Sequence, residues 1–158
     1  MRRSDRAVTD LAEIQKAIDH CKVCRLAFQT DDAPYIVPLN FGYSTGPLQL
    51  YFHSAPVGRK LDLIQTGKPV GFEMDCDRGL EDGGEIACAY SYYFESIIGT
   101  GTISIVTDPE EKLRALQALM THMTGTSDYT FSPNAVAAVY VFRLDVQTLS
   151  CKRRAATT

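Results

Sequence analysis

Leu48-Gln49-Leu50-Tyr51-Phe52-His53-Ser54-Ala55-Pro56-Val57-Gly58-Arg59-Lys60 is the stretch in which apolar alternation, a glycine break and adjacent cations meet. Leu48, Leu50 and Phe52 alternate with Gln49, Tyr51 and His53, the period-two pattern of a half-buried strand. The pattern stops after Phe52. His53, Ser54, Gly58, Arg59 and Lys60 then bring a hydroxyl, a compact backbone and two cations into one turn, and Leu61 and Ile64 fit a following helix. A strand, turn and helix start of this kind holds a phosphate through free backbone N–H groups and nearby cations. The same residues also make a solvated turn with surface Arg and Lys. Neither nucleotide template fits, because a Walker loop needs more glycine and a Lys-Ser/Thr end, and the dinucleotide fingerprint needs three spaced glycines.

Outward from this turn the chain reads mainly as strands. Cys24 to Thr30, with Leu26 and Phe28, predicts a first strand, and Asp31-Asp32-Ala33 a turn. Tyr35 to Tyr43 predicts a second, in which Pro38 has no N–H for a ladder and so marks an edge or a bulge. Ser44-Thr45-Gly46-Pro47 turns the chain back, and the three successive strands predict a meander. Beyond the turn, a helix from Gly58 to Thr66 stops at Gly67, and Pro69 to Asp75 returns as a strand through Val70, Phe72 and Met74. The acidic, glycine-rich segment Asp77 to Gly84 predicts an exposed, mobile loop.

Glu85 to Val106 is rich in Ile and Tyr and predicts two long strands or one bent pair. Gly99 and Gly101 within it mark a bulge, a close approach by something flat, or relief of barrel curvature. Val136 to Leu149 ends the domain with alternating Val139, Val141, Leu144 and Val146. Two further helices have clear starts. Thr9 or Asp10 caps Leu11 to His20, with Glu13 completing a capping box, and Asp108-Pro109-Glu110-Glu111 opens a helix that stops before Gly125. Many strands with few helices predict a mainly β fold, an antiparallel β-barrel with peripheral α-helices, and disfavour a doubly wound sheet.

A chain of 158 residues with 45% hydrophobic content suits one core, so residues 1–158 are expected to form a single domain with a polar arm at 1–8 and a basic tail at 150–158. A formal charge of −3 offers no broad basic surface, so nucleic acid is not an expected partner. No apolar run approaches the ~20 residues of a membrane span, and the charged start lacks an apolar signal core, so no membrane association and a cytoplasmic location are expected. Five irregularly spaced cysteines suit reduced thiols. Cys21 and Cys24 form a Cys-x-x-Cys preceded by His20. Zinc would need two more ligands, to be drawn from the scattered Cys76, Cys88 and Cys151, and a thioredoxin-like pair would start a helix after a strand. Free thiols and a metal or redox role are the two readings of this pair. No Ser/His/Asp or paired-carboxylate constellation is visible.

Four segments, in order, carry a resemblance: Arg2-Arg3-Ser4-Asp5-Arg6 with Thr9-Asp10; Pro34-Tyr35-Ile36-Val37-Pro38-Leu39-Asn40-Phe41-Gly42-Tyr43; Tyr51-Phe52-His53-Ser54-Ala55 with Gly58-Arg59-Lys60; and Ser96-Ile97-Ile98-Gly99-Thr100-Gly101. Together they resemble the FMN-binding split-barrel superfamily of pyridoxamine 5′-phosphate oxidase-like proteins, most closely its nitroimidazole-resistance (Nim) branch. The resemblance implies an antiparallel split barrel of FMN-binding type and a homodimer holding flavin mononucleotide (FMN) at the subunit interface. By motif, the backbone of Val37, Pro38, Leu39 and Asn40 lines the isoalloxazine, Ser54, Arg59 and Lys60 hold the phosphate with His53 beside them, and Ser96 is a further cofactor contact.

The function so implied is an FMN-dependent oxidoreductase acting on nitroimidazole-like or other electron-poor small molecules, and the alternative is a flavin or haem binding or sensor protein without turnover. The cofactor would carry the electron chemistry. His53 is the candidate for proton transfer, being the side chain type suited to it near neutral pH, and fits equally a phosphate ligand or a structural strand-end residue; in the haem alternative it is the iron ligand. In the parent oxidase the last strand contributes Trp and Arg around the cofactor, whereas this chain has no Trp and ends Ser150-Cys151-Lys152-Arg153-Arg154. Pyridoxamine phosphate oxidation itself is therefore not expected.

Overall fold

A computed structural model describes residues 3–155; Met1 and Arg2 of the expected arm and motif, and residues 156–158 of the expected tail, lie outside the described residues. A short 3-10 turn at Ser4–Arg6 leads into β1 (Ala7–Val8) and α1 (Leu11–His20). Two hairpins follow, β2 (Cys24–Phe28) with β3 (Tyr35–Leu39), and β4 (Gly42–Thr45) with β5 (Leu48–Ser54). Next come α2 (Arg59–Ile64), the long strands β6 (Val70–Glu81) and β7 (Ser91–Ile105), α3 (Pro109–Thr124), α4 (Pro133–Ala138) and β8 (Tyr140–Arg154). The helix starts follow from their caps. Asp10 accepts from the Glu13 amide and Asp108 from the Glu111 amide, while Gly125 ends α3 at φ 80°, a left-handed conformation that suits glycine.

The strands form one antiparallel sheet in the order β3-β2-β6-β7-β8-β5-β4, with β1 on β8. The expected meander is not formed. The β2–β3 and β4–β5 hairpins lie at opposite ends of the order, and the three long strands stand between them. Pro38 does lie on an edge strand, since among the described residues β3 pairs only with β2. The sheet curls without closing, an antiparallel split barrel with peripheral helices. Leu26 and Phe28 of one end share a core with Leu50 and Phe52 of the other, and the rings of Phe52 and Phe142 stack at 5.3 Å.

Four expectations about extent are corrected. Asp77 to Glu81 is not loop but the end of β6, paired to β7 after a register shift between Asp77 and Leu80; backbone pairing overrides its acidic composition. Glu85 to Val106 holds one 15-residue strand rather than two. The final strand starts at Tyr140, with α4 before it, and continues to Arg154, so residues 150–154 are sheet rather than tail. Tyr51, placed on the polar side of its strand by alternation, is buried under α3 with Val106, Ala115, Leu116 and Val141, because the sheet is covered on both faces there.

The two glycines of β7 answer to close packing. A Cβ on Gly99 would sit 2.2 Å from the Thr148 carbonyl oxygen and 2.5 Å from the Phe72 ring, so the flat neighbour is Phe72. Gly101 stands at a β7–β8 register shift, 2.3 Å from the Asp145 carbonyl on the same measure. α3 is held to the end of α1 by buried His122, whose Nε2–H donates to the Cys21 carbonyl at 2.8 Å, while Lys22 Nζ donates to the His122 carbonyl at 2.7 Å.

A methyl at Gly42 would meet the α3 backbone 2.2 Å from the Leu119 nitrogen. Gly42→Ala is expected to destabilise by about 3 kcal/mol, the upper part of the overpacking range, whereas Gly71→Ala, with ordinary contacts only, changes the urea midpoint little. Burial pushes the His122 pKa down, so below about pH 6.5 the unfolded chain takes up a proton that the folded chain refuses. Stability contributed by the neutral ring is present above that pH and is lost as pH falls towards the native value, by at most about 1.4 kcal/mol per pH unit. His122→Gln should flatten the fall in unfolding free energy below about pH 6.5; an unchanged slope would refute the assignment.

Candidate functional site

β3 places one half of the site. Val37 and Leu39 pack towards the core, while Ile36 and Pro38 face out. Since among the described residues β3 pairs on one side only, its second edge presents backbone N–H and C=O groups to bind a planar polar ring. Asn40 fixes the end of the strand, its Nδ2 donating to the Lys22 carbonyl at 3.0 Å.

The other half comes from the end of β5. His53 is exposed, and Ser54 is buried with its hydroxyl donating to the Ala55 carbonyl at 2.6 Å. Gly58, at φ 137°, turns the chain into α2 through a conformation that side chains resist. Leu61 and Ile64 anchor α2 in the core, which leaves Arg59 and Lys60 at its outer start. The Arg59 guanidinium lies over the Tyr35 ring, 4.9 Å from its centre, and this contact joins the turn to β3. Elements from opposite halves of the sheet thus meet across the split.

Among the described residues, neither Arg59 nor Lys60 has an ion-pair partner. Two uncompensated cations beside a free strand edge suit a ligand that joins an anionic group to a flat hydrogen-bonding ring. The expectation of amides at a helix start is weaker, because α2 has six residues and its Leu61 amide already bonds the Gly58 carbonyl. The attraction for an anion rests on the side chains.

Ser96 is not brought to this turn within one chain. It stands on β7 between Asp75 and Lys152, three strands from β3. The register nevertheless puts it on the same outer face as Pro38, since Pro38, Arg25, Glu73, Ile98 and Ser150 oppose one another in turn across five strands. Exposed Ile36 and Ile98 share that face, and Ser96 lines a shallow groove of about 250 Å³ with Ile98, Ser150 and Lys152.

Several contributors escaped the sequence reading. Tyr35 was legible only as a strand residue, for no spacing links it to Arg59. Arg25 bridges Glu73 at 2.9 Å and Asp75 at 2.5 Å on the outer face. Burial raises the Glu73 carboxyl above its usual range, against the pull of Arg25. Of the Cys-x-x-Cys, Cys21 closes α1 and Cys24 opens β2, both fully buried, and burial pushes both thiols up. Among the described residues neither belongs to a cluster with metal-binding geometry. No described helix is long and apolar enough to cross a membrane.

Comparison with known proteins matches this architecture. Residues 10–153 fit the family model described as pyridoxamine 5′-phosphate oxidase. A candidate 5-nitroimidazole antibiotic resistance protein of Bacteroides thetaiotaomicron VPI-5482 is 30% identical, with 93% of this chain and 86% of that one covered at a TM-score of 0.78. The flavocytochrome Anf3 of Azotobacter vinelandii (17% identity, 99% and 72% covered, TM-score 0.79) shares the fold. So does an FAD and haem binding protein of Mycobacterium smegmatis (18%, 96% and 74%, TM-score 0.80). No curated protein matches the sequence. With the family model spanning nearly the whole sheet, the chain belongs to the pyridoxamine 5′-phosphate oxidase family.

Proposed function

We propose that this chain is a flavoprotein that binds FMN at the interface of a homodimer and reduces nitroimidazole-like or other electron-poor small molecules. The observation that carries the reading is the pair of uncompensated cations, Arg59 and Lys60, held beside the free edge of β3 by the Arg59–Tyr35 contact. The candidate nitroimidazole resistance protein at 30% identity supports the substrate class. A cytoplasmic location accompanies it, in keeping with five free thiols.

When bound, the flavin supplies hydride and electron transfer. The residues of the chain do the rest. Arg59 and Lys60 offset the phosphate dianion, with the Ser54 hydroxyl close by in sequence at the end of β5. The backbone of Val37 to Asn40 orients the ring by hydrogen bonds along the open strand edge. His53, exposed near the end of β5, gives a proton from its imidazole N–H to the reduced substrate. The dimer accounts for Ser96, which is remote from the turn in one chain yet stands on the outer face that a second copy would cover. Pyridoxamine phosphate oxidation forms no part of the proposal, since the chain has no Trp to bring to the cofactor on its last strand.

A second reading, flavin or haem binding without turnover, draws on the exposed His53 as an iron ligand and on the haem-associated names of two structural neighbours.

The visible spectrum of the purified full chain tests both readings. Flavin bands that bleach with a reduced nicotinamide and return on adding a nitroimidazole are expected; a Soret band supports the second reading, and a colourless protein that takes up neither cofactor refutes both. Replacing Arg59 and Lys60 together with Ala should weaken FMN roughly 10- to 100-fold, the loss of charge-assisted hydrogen bonds, and leave phosphate-free riboflavin nearly unchanged. Equal losses for the two ligands would overturn the phosphate assignment.

A further inference from the structure

His20, the last residue of α1, reaches a different partner from the one its sequence neighbours suggest. Its Nδ1 lies 2.5 Å from Glu95 Oε2, and Cys76 Sγ lies 3.5 Å from the same oxygen. Cys76 and Glu95 are cross-strand partners of β6 and β7, so the ladder itself sets them side by side. All three donor atoms fall within 4.8 Å of one another.

We propose that His20 Nδ1, Cys76 Sγ and Glu95 Oε2 form a three-ligand site for a borderline divalent cation, zinc by its donor set. An imidazole, a thiolate and a carboxylate are the ligands that zinc takes, and together they are too soft for magnesium or calcium. Zinc bonds of about 2.0–2.3 Å at tetrahedral angles set donor separations of roughly 3.3–3.6 Å. The Cys76–Glu95 edge is at that length already, and the His20–Glu95 edge opens by under about 1 Å, which a half-exposed side chain at a helix end allows.

The surroundings suit the site. The Glu95 side chain is only 4% exposed, and its other oxygen, Oε1, accepts from Arg153 Nε at 2.6 Å. That bond orients the carboxylate and leaves Oε2 for the ion, as outer partners of metal ligands do. His20 and Glu95 line a pocket of about 370 Å³ together with Lys16, Arg78, Tyr93 and Arg154 among others, which gives solvent or a small anionic ligand access to an ion held there. Arg78, with Nε 3.9 Å from Oε2, adds an opposing charge but is half-exposed and free to withdraw. Binding takes the thiolate, and the Cys76 proton passes to solvent.

Titration of the reduced full chain with Co²⁺ as probe, followed by displacement with Zn²⁺, tests the site without reference to flavin. One equivalent should bind with a thiolate-to-cobalt charge-transfer band that Cys76→Ser abolishes. His20→Ala should weaken binding at least about tenfold, the loss of one ligand's share, while Arg78→Ala strengthens it and Cys88→Ser, at an exposed thiol outside the cluster, changes nothing. Because Cys76→Ser also alters β6, protection is read in the unaltered chain as well, where Zn²⁺ should slow alkylation of Cys76 and spare Cys88 its usual rate. A band that survives Cys76→Ser, a band that vanishes with Cys88→Ser, or an alkylation rate of Cys76 indifferent to Zn²⁺ would overturn the proposal.

Discussion

The ladder between β7 and β8 is the constraint on which the rest of the structure depends. It runs from Phe94 opposite Arg154 to Ile105 opposite Phe142, and every other strand attaches to one of the two directly or through one or two intervening strands. Two long strands stay amphipathic over such a length only if their twist is relieved without losing the face. The register shift between Thr100 and Gly101 does this, passing the chain from Thr148 to Val146 on the β8 side. Leu144 and Val146 point inward before the shift and Leu149 and Cys151 after it, so the parity of inward residues changes from even to odd. Gly99 and Gly101 let the β8 carbonyls approach at that bend, where any side chain would collide.

What was legible in the sequence was local. The Asp10 and Asp108 caps, the Gly125 stop and the edge position of Pro38 are each decided by a few neighbouring atoms, and each lies where its chemistry predicted. Strand order was not legible, because an alternating strand says which face is wet and nothing about its neighbours. The end of β6 shows the same limit from the other side. Asp77 to Glu81 looks like a loop by composition, yet its backbone finds β7, and a solvent-facing ladder tolerates any polar side chain.

The candidate site divides along the same line. Arg59, Lys60, His53 and Ser54 are close in sequence and could be read as a group, as could Val37 to Asn40. That the two groups belong together depends on the curl of the sheet, which brings Tyr35 under Arg59. Cys21 and Cys24 divide in the same way. Sequence proximity suggested a pair, but helix α1 ends between His20 and Cys21, sending the imidazole out towards Glu95 and both thiols into the core.

The two charged regions are built on opposite electrostatic terms. Glu95 is a carboxylate removed from water; burial pushes its pKa up, and the hydrogen bonds from His20 and Arg153 outweigh that and hold it below the usual range. Such a group is tolerable only while it keeps partners, so an ion there replaces an existing contact and gains only the difference. Arg59 is exposed and Lys60 partly so, and both are without ion-pair partners among the described residues, a state that costs the free protein little. An anion arriving at them breaks no pair first and meets a strand edge whose backbone groups are also free. The turn is therefore the better place to recruit a ligand from solution, and the buried cluster the better place to hold one in fixed geometry.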